Sequence, residues 1–339
     1  MQGLKLIYED SANEGKRLDI TDIVESLRIS TSMGNECGRA DLSIIGDGAS
    51  YSFGSRLHVM DGERGMFLGY LFSVTMQDSD KFEAVFYDQT RYLRNTDVIV
   101  VKGMTASQLF EQICNGVILS KDGKQYERKL KMGKVDASTY KLPAEVYEGK
   151  SLWDVMSEAI EQTLAYEKKM FVIRDNYGEL EFRDIHNLES DFIIDADENA
   201  LSYSYTVGID NNTYTRARIG YENGSKGARE WGVVDAPDEY VNQWGILQYY
   251  RLLKTPKKTE ELEAMCKQAL SAFCQPTREV QITCLGDLRI SAGVGVLLRM
   301  DGIKAFEGMS AYYVASCTHE ITNDKHVMTL VLATSNFGG

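Results

Sequence analysis

The chain has no apolar run near the roughly 18 residues that a membrane-spanning helix needs. Its first residues, MQGLKLIYEDSANEG, lack the basic and apolar regions of a secretory leader. Synthesis and folding in the cytoplasm are therefore expected. The six cysteines (Cys37, Cys114, Cys266, Cys274, Cys284, Cys317) form no CxxC pair, so buried free thiols are expected rather than a disulfide framework or a zinc site. No Gly-rich phosphate loop, GxSxG elbow or recognisable Cys/His pairing occurs, and no cofactor is implied. Positive charge is scarce: 37 Lys and Arg stand against 50 Asp and Glu, for a net charge of -13. Nucleic acid and anionic membrane are thus poor partners for the chain as a whole, because their affinity rests on Lys and Arg.

What is present suits a soluble globular protein of two or three domains: 339 residues, 43% hydrophobic and 26% charged. In residues 1–95, LKLIYED, ADLSIIG, SRLHVMDG, MFLGYLFSVTMQ and KFEAVFYDQ alternate apolar and polar residues between Gly, Asp, Asn and Ser. Five or six strands of a small antiparallel barrel fit this pattern. Residues 96–195 then read as an α+β domain. Ala106, Leu109, Phe110, Ile113 and Val117 share a helical face behind a Thr105/Gln108 capping box. SLWDVMSEAIEQTLAYEKK is a second helix capped by Ser151, and Asn176-Tyr177-Gly178 turns a hairpin. Strand signals return in 196–224 and 276–335, around a segment, 225–275, in which Leu262, Met265, Cys266, Ala269, Leu270 and Phe273 line a third helix. A second barrel with a helical insertion is the expectation.

The two β regions share punctuation. Gly46-Asp47 and Met60-Asp61-Gly62 recur as Gly286-Asp287 and Met300-Asp301-Gly302, and 286 − 46 = 300 − 60 = 240. At that offset Leu42, Ser43 and Ile45 face Ile282, Thr283 and Leu285, while Leu57 faces Leu297. Asp-Gly and Gly-Asp are common turn dipeptides. Two landmarks at one ungapped spacing in the same strand order point instead to two copies of one barrel.

Candidate chemistry is sparse. His319-Glu320 with His326 has a seven-residue spacing where a zincin helix needs four, and reads as a hairpin turning at Asn323-Asp324 with the two histidines diagonal on one face. Asp154 with Glu158, or Glu145 with Glu148, resembles a glycosidase carboxylate pair but lies on or just before the polar face of an amphipathic helix. KDGKQYERKLKMGK, residues 121–134, is a local basic run. It reads as a solvated loop or as a partner-docking patch.

The order of these features, with SLWDVMSEAIEQ and its hairpin, DEYVNQWGILQ, a helix ending CKQAL, ITCLGDLRISAGVGVLL and YYVASCTHEITNDKHVMTLVLA, resembles the baseplate hub proteins of contractile phage tails, PBSX-like prophages and phage-tail-like bacteriocins. The best-matching stretches are Ser151 to Asp184 and Glu239 to Ala333. The resemblance implies a mainly β, α+β fold with two tail-tube-like antiparallel barrels flanking an α+β domain. It implies a homotrimer that presents six barrels, joins the hexameric tail tube to the trimeric spike, and meets other baseplate or tape-measure proteins. Incorporation into a virion tail or tail-like particle, with release by host lysis, follows from the same likeness. No catalytic residues carry over, and the chain ends just past its last strand, where some relatives continue into a cell-wall hydrolase. Interface candidates are the turns at Asp47, Asp61, Asp287 and Asp301. A peptidoglycan-cleaving baseplate enzyme and a β-rich carbohydrate- or receptor-binding module are the alternatives.

Overall fold

The computed structural model describes residues 3–34, 36–46, 51–78, 80–119, 124–128, 130–223, 228–253, 257–300 and 309–334. Seven strands come first: β1 (Leu4–Asp10), β2 (Lys16–Asp19), β3 (Val24–Ser32), β4 (Arg39–Ile45), β5 (Arg56–Asp61), β6 (Arg64–Asp78) and β7 (Lys81–Tyr87). Alternation sets their inner face: Leu6, Leu27, Ile29, Leu42, Ile44, Leu57, Val59, Leu71, Ala84 and Phe86 are buried together.

The period then changes, as the apolar spacing predicts. β8 (Ile99–Val101) precedes α1 (Ala106–Cys114), whose Thr105/Gln108 capping box is formed. β9 (Val117–Leu119), β10 (Gln125–Glu127), β11 (Met132–Val135) and β12 (Glu145–Tyr147) are short and lead to α2 (Leu152–Glu167), capped by the Ser151 hydroxyl on the Asp154 N–H. β13 (Phe171–Asp175) and β14 (Leu180–Asp184) form the expected hairpin. Phe182 is fully buried against Phe171 and Phe110, with ring centroids 4.8 and 5.6 Å away.

β15 (Glu189–Asp195), β16 (Ala200–Gly208) and, after a long insertion, β20 (Thr277–Leu285), β21 (Gly295–Arg299), β22 (Met309–Thr322) and β23 (His326–Thr334) complete the main sheet. Between them lie β17 (Arg216–Asn223), β18 (Ala228–Asp235), α3 (Asp238–Trp244), β19 (Gln248–Leu253) and α4 (Thr259–Phe273). By contact density the chain divides into two compact units, 1–203 with 281–338, and 204–280. In the smaller unit α4 buries Leu262, Cys266 and Leu270 on Ala217, Ile219 and Tyr221 of β17.

Two placements differ from the sequence reading. β17, expected in the second barrel, pairs with β18 and β19, so the insertion is a small α/β layer and not helical throughout. Residues 189–195, expected in the α+β domain, pair with β21 of the main sheet. Strand pairing is a long-range choice that local alternation does not encode.

Among the described residues the main sheet has thirteen strands, and its two halves repeat one order: β3-β4-β7-β6-β5-β1 and β16-β20-β23-β22-β21-β15. The repeat extends to a bulge. Register slips in β6 between Leu71 and Ser73, opposite β7, and in β22 between Val314 and Ser316, opposite β23. The shift is the same at both ends, 314 − 71 = 316 − 73 = 243. Among the described residues neither half closes on itself, because β22 pairs with β3 and fuses the halves into one ladder. The match of Leu57 with Leu297 needs correcting, while Asp301 and Gly302 of the second landmark lie outside the described residues. Tyr70 pairs with Arg56 and Tyr313 with Gly295, so β5 and β21 correspond at 295 − 56 = 239 rather than 240. Leu57 thus matches buried Val296, and Leu297 is only half-buried. A one-residue slip exchanges the two faces of a strand, so the agreement at 240 along this strand was not structural.

Candidate functional site

Asp61 and Asp287, two of the four candidate turn residues, line one cleft of about 460 Å³, with Arg64, Arg289, Lys325 and His326. Asp47 and Asp301 lie outside the described residues. Asp61 pairs with Arg64 across a two-residue hairpin loop whose Gly62 takes φ +58°, a conformation that β-carbon-bearing residues rarely adopt. Asp287 accepts hydrogen bonds from the Arg289 backbone N–H at 2.9 Å and from its guanidinium at 2.6 to 3.1 Å. Burial alone would raise the Asp287 pKa, but the Arg289 contacts outweigh it and hold the carboxyl below its ordinary range.

Gly286 explains the recurrence of Gly before Asp. Its N–H donates to the His326 carbonyl at 3.0 Å, as the Gly46 N–H donates to Asp80 at 2.7 Å at the equivalent end of β4. A Cβ on Gly286 would stand 2.1 to 2.3 Å from the His326 ring, so the imidazole lies on bare backbone. Gly286→Ala is expected to cost about 1–3 kcal/mol, since the ring must leave its place. A urea midpoint unchanged from the parent would contradict this packing.

Behind the cleft wall the two histidines touch across the diagonal of the β22–β23 hairpin, the placement that the sequence spacing predicts. His319 Nε2 donates to the Ile290 carbonyl at 2.8 Å, leaving Nδ1 to accept from His326 Nε2 at 3.1 Å. This assigns His319 the neutral tautomer protonated at Nε2. Burial lowers the His319 pKa to about 4 and, less strongly, that of His326. Among the described residues no His, Cys, Asp and Glu are grouped so as to hold a metal ion.

The sequence reading missed a second acidic pair. Asp88 and Asp175, at the ends of β7 and β13, line a narrow internal cavity of about 90 Å³. Burial first, and for Asp88 the Asp175 charge next, raise their pKa values. Asp88 accepts from the Thr90 N–H at 2.9 Å and from the Thr90 hydroxyl; Asp175 accepts from the Gly178 N–H at 2.6 Å and from Gln89 at 3.2 and 3.3 Å. Both carboxyls thus tie turns together. The only local sign was Asp-Gln-Thr at a turn start, an Asx cap. Asp154 and Glu158 lie on the polar face of α2, as the sequence reading has it: Glu158 binds Lys150 at 2.8 Å on a partly exposed face, and Asp154 accepts from the Ser151 hydroxyl. Within the basic run, Arg128 is half-buried, pairs with Asp97 and donates to the Ile113 carbonyl at the end of α1, while Lys131 pairs with Glu179 at 2.8 Å. Residues 121–123 and 129 lie outside the described set.

The cleft carries mixed charges, already paired in part, at the point where turns of both halves of the sheet meet. The chain thus has the architecture of phage tail proteins, a doubled β unit with an α+β layer. It matches the 43 kDa tail protein of prophage MuSo2 from Shewanella oneidensis at a TM-score of 0.67 with 10% identity, covering 98% of this chain and 99% of that one. A tail protein from Neisseria meningitidis matches at 0.66 with 14% identity, covering 99% and 98%. The Escherichia coli c3393 protein, a type VI secretion component described as similar to the T4 tail proteins gp27 and gp5, matches at 0.52 with 9% identity, covering 94% and 75%. The chain belongs to the YQBQ-like family, whose model matches residues 27–333. No curated protein matches it.

Proposed function

We propose that the chain is the structural hub of a contractile-tail baseplate, a homotrimer whose three pairs of tube-like halves form a sixfold face for the hexameric tail tube and a threefold face for the trimeric spike. The observation that carries this reading is the doubled strand order with its twin bulge. A twice-repeated fold lets a threefold assembly meet a sixfold one. Tail and spike proteins, with other baseplate components, are the partners in this reading, and the chain's place is in the particle. The domain division it uses is a first half at 1–95, an α+β part near 96–188, and a second half that begins at β15 and is interrupted by the 204–280 unit. The turns at Asp61 and Asp287 are proposed as part of the docking rim, joined by Asp47 and Asp301.

The role is proposed as non-enzymatic, because among the described residues the Asp88 and Asp175 carboxyls accept hydrogen bonds from the chain itself and Glu158 is held by Lys150. Two measurements test it. Sedimentation of the purified chain with tube protein should give a co-assembly containing three copies of the hub. Purified cell walls should keep their turbidity, and clearing that disappears in Glu158→Gln would replace the structural reading with the hydrolase one.

A further inference from the structure

We propose that a groove on the outer face of β3, β4 and β7 is a docking site for an acidic peptide segment of a partner protein, whose carboxylates are received by Arg28 and Arg91. The site does not depend on the hub reading.

The groove has a volume of about 640 Å³ and is lined by four arginines, Arg28, Arg39, Arg91 and Arg94, against two acids, Glu36 and Asp41. That balance reverses the one in the chain as a whole, where 37 Lys and Arg stand against 50 Asp and Glu. Strand register gathers the charges. Arg28 of β3 lies opposite Asp41 of β4, and Arg39 of β4 lies between Ser30 of β3 and Tyr87 of β7. Leu27, Ile29, Ala40, Leu42 and Phe86 point the other way, into the core, so alternation turns these polar residues outward. Directly after β7 a 3₁₀ turn, Gln89–Arg94, carries Arg91 and Arg94 three residues apart, a spacing at which the side chains of such a turn eclipse.

The guanidiniums differ in what they bind. Arg39 is committed to Asp41, with Nε 2.9 Å from both carboxylate oxygens. Arg94 donates from Nε to the Cys37 sulfur at 3.1 Å. Arg91 rests instead on an aromatic ring, 5.3 Å from the centre of Phe72, which in turn meets Tyr87 edge-on at 5.4 Å. Stacking holds a guanidinium by its face and leaves its rim of N–H donors open. Arg28 is exposed, and its strand neighbours do not neutralise it: Asp41 is taken by Arg39, and Glu320, opposite on β22, makes no ion pair with it and lies outside the groove. Among the described residues neither the Arg28 nor the Arg91 side chain has a hydrogen bond or an ion pair. Each can give a carboxylate two parallel N–H bonds, the strongest kind of polar contact available to it.

The spread of charge favours a peptide over a compact anion. The cations come from β3, β4 and the 3₁₀ turn, and Glu36 and Asp41 stand among them, so a dense anion drawn to the centre would also meet two carboxylates. An extended segment can set single carboxylates beside Arg28 and Arg91 and an apolar side chain against the half-buried Tyr87 ring.

The test uses the full-length chain and a fluorescein-labelled peptide of alternating glutamate and alanine, followed by anisotropy at low salt. Arg28→Gln and Arg91→Gln should each weaken binding about tenfold, while Arg17→Gln, at an exposed arginine paired with Glu9, should leave it unchanged. Because Arg91 also packs on Phe72, the exposed Arg28→Gln decides the matter if the Arg91 variant melts early. Cys37 marks the place: it lines the groove, so saturating peptide should slow its alkylation by iodoacetamide, read by mass spectrometry, while half-buried Cys274 in the smaller unit keeps its rate. Binding that Arg28→Gln weakens no more than Arg17→Gln does would overturn the site, as would an unchanged Cys37 rate or no binding at the highest soluble concentration. Displacement of the peptide by equimolar inorganic phosphate would overturn the choice of occupant in favour of a compact anion. Protection of Cys37 that grows with chain concentration and excludes the peptide would give the groove to a second copy, and the proposal would fail.

Discussion

Leu27→Ala is expected to destabilise the folded chain by about 2–5 kcal/mol, and Ile321→Ala by a similar amount. Leu27 lies on β3 and Ile321 on β22, directly opposite in the ladder that joins the two halves. Both are buried in the core of the first half, although Ile321 comes from the far end of the chain. Because they share a contact, the double variant should cost less than the sum, by about 0.5–3 kcal/mol. Urea denaturation of the four proteins in the cycle measures this. Costs that add to within a few tenths would mean that the halves do not share a core at this point.

Acidification should bring the second large effect. The His319 pKa is about 4 in the folded chain against 6.5 for the free side chain, so the folded state binds fewer protons between those values. The contribution of His319 to stability is therefore complete above pH 6.5, declines as pH falls, and is lost below about 4. Its size is roughly 3 kcal/mol, from about 1.4 kcal/mol per pKa unit. His326, lowered in the same direction by burial, adds to it, while the nearby Asp287 charge opposes the shift of both. Asp88 and Asp175 act with the opposite sign, since their raised values give stability that is present at acid pH and lost as pH rises through them. The clean measurement is a difference: urea midpoints at pH 7 and pH 4.5 for the parent and for His319→Gln. The parent should lose more stability than the variant over that interval. Equal losses would show that the imidazole is not held neutral.

The mutual position of the histidines illustrates how far local pattern reaches. HEITNDKH was legible as a hairpin, and the turn forms with the Thr322 N–H on the Lys325 carbonyl at 2.8 Å. That the rings would meet depends on the Ile290 carbonyl, which orients His319 from a different turn. The same division runs through the site. Gly62 and Gly286 could be read as turn residues, whereas the meeting of Asp61 with Asp287 in one cleft follows from folding across more than two hundred residues.

Caps, turns and periodicity depend on neighbours a few residues apart, and these were determined by the sequence alone. They include α1 behind Thr105 and Gln108, α2 behind Ser151, the β13–β14 hairpin, the α4 stripe and the alternating strands of both halves. The doubling was legible too, through Gly46 and Gly286, although the offset held for β4 and β20 and slipped by one at β5 and β21. What only the tertiary structure decided is which strands pair. β3, reading VESLRISTS, carries no clear strand signal because a register slip between Val24 and Ser26 breaks its alternation, yet it is the strand that fuses the halves. β17 alternates as well as any strand of the main sheet and belongs to another. Backbone hydrogen bonds are the same for every pair of strands, so the partner is chosen by long-range packing of the two faces, and that choice places the core, the cleft and the open edges.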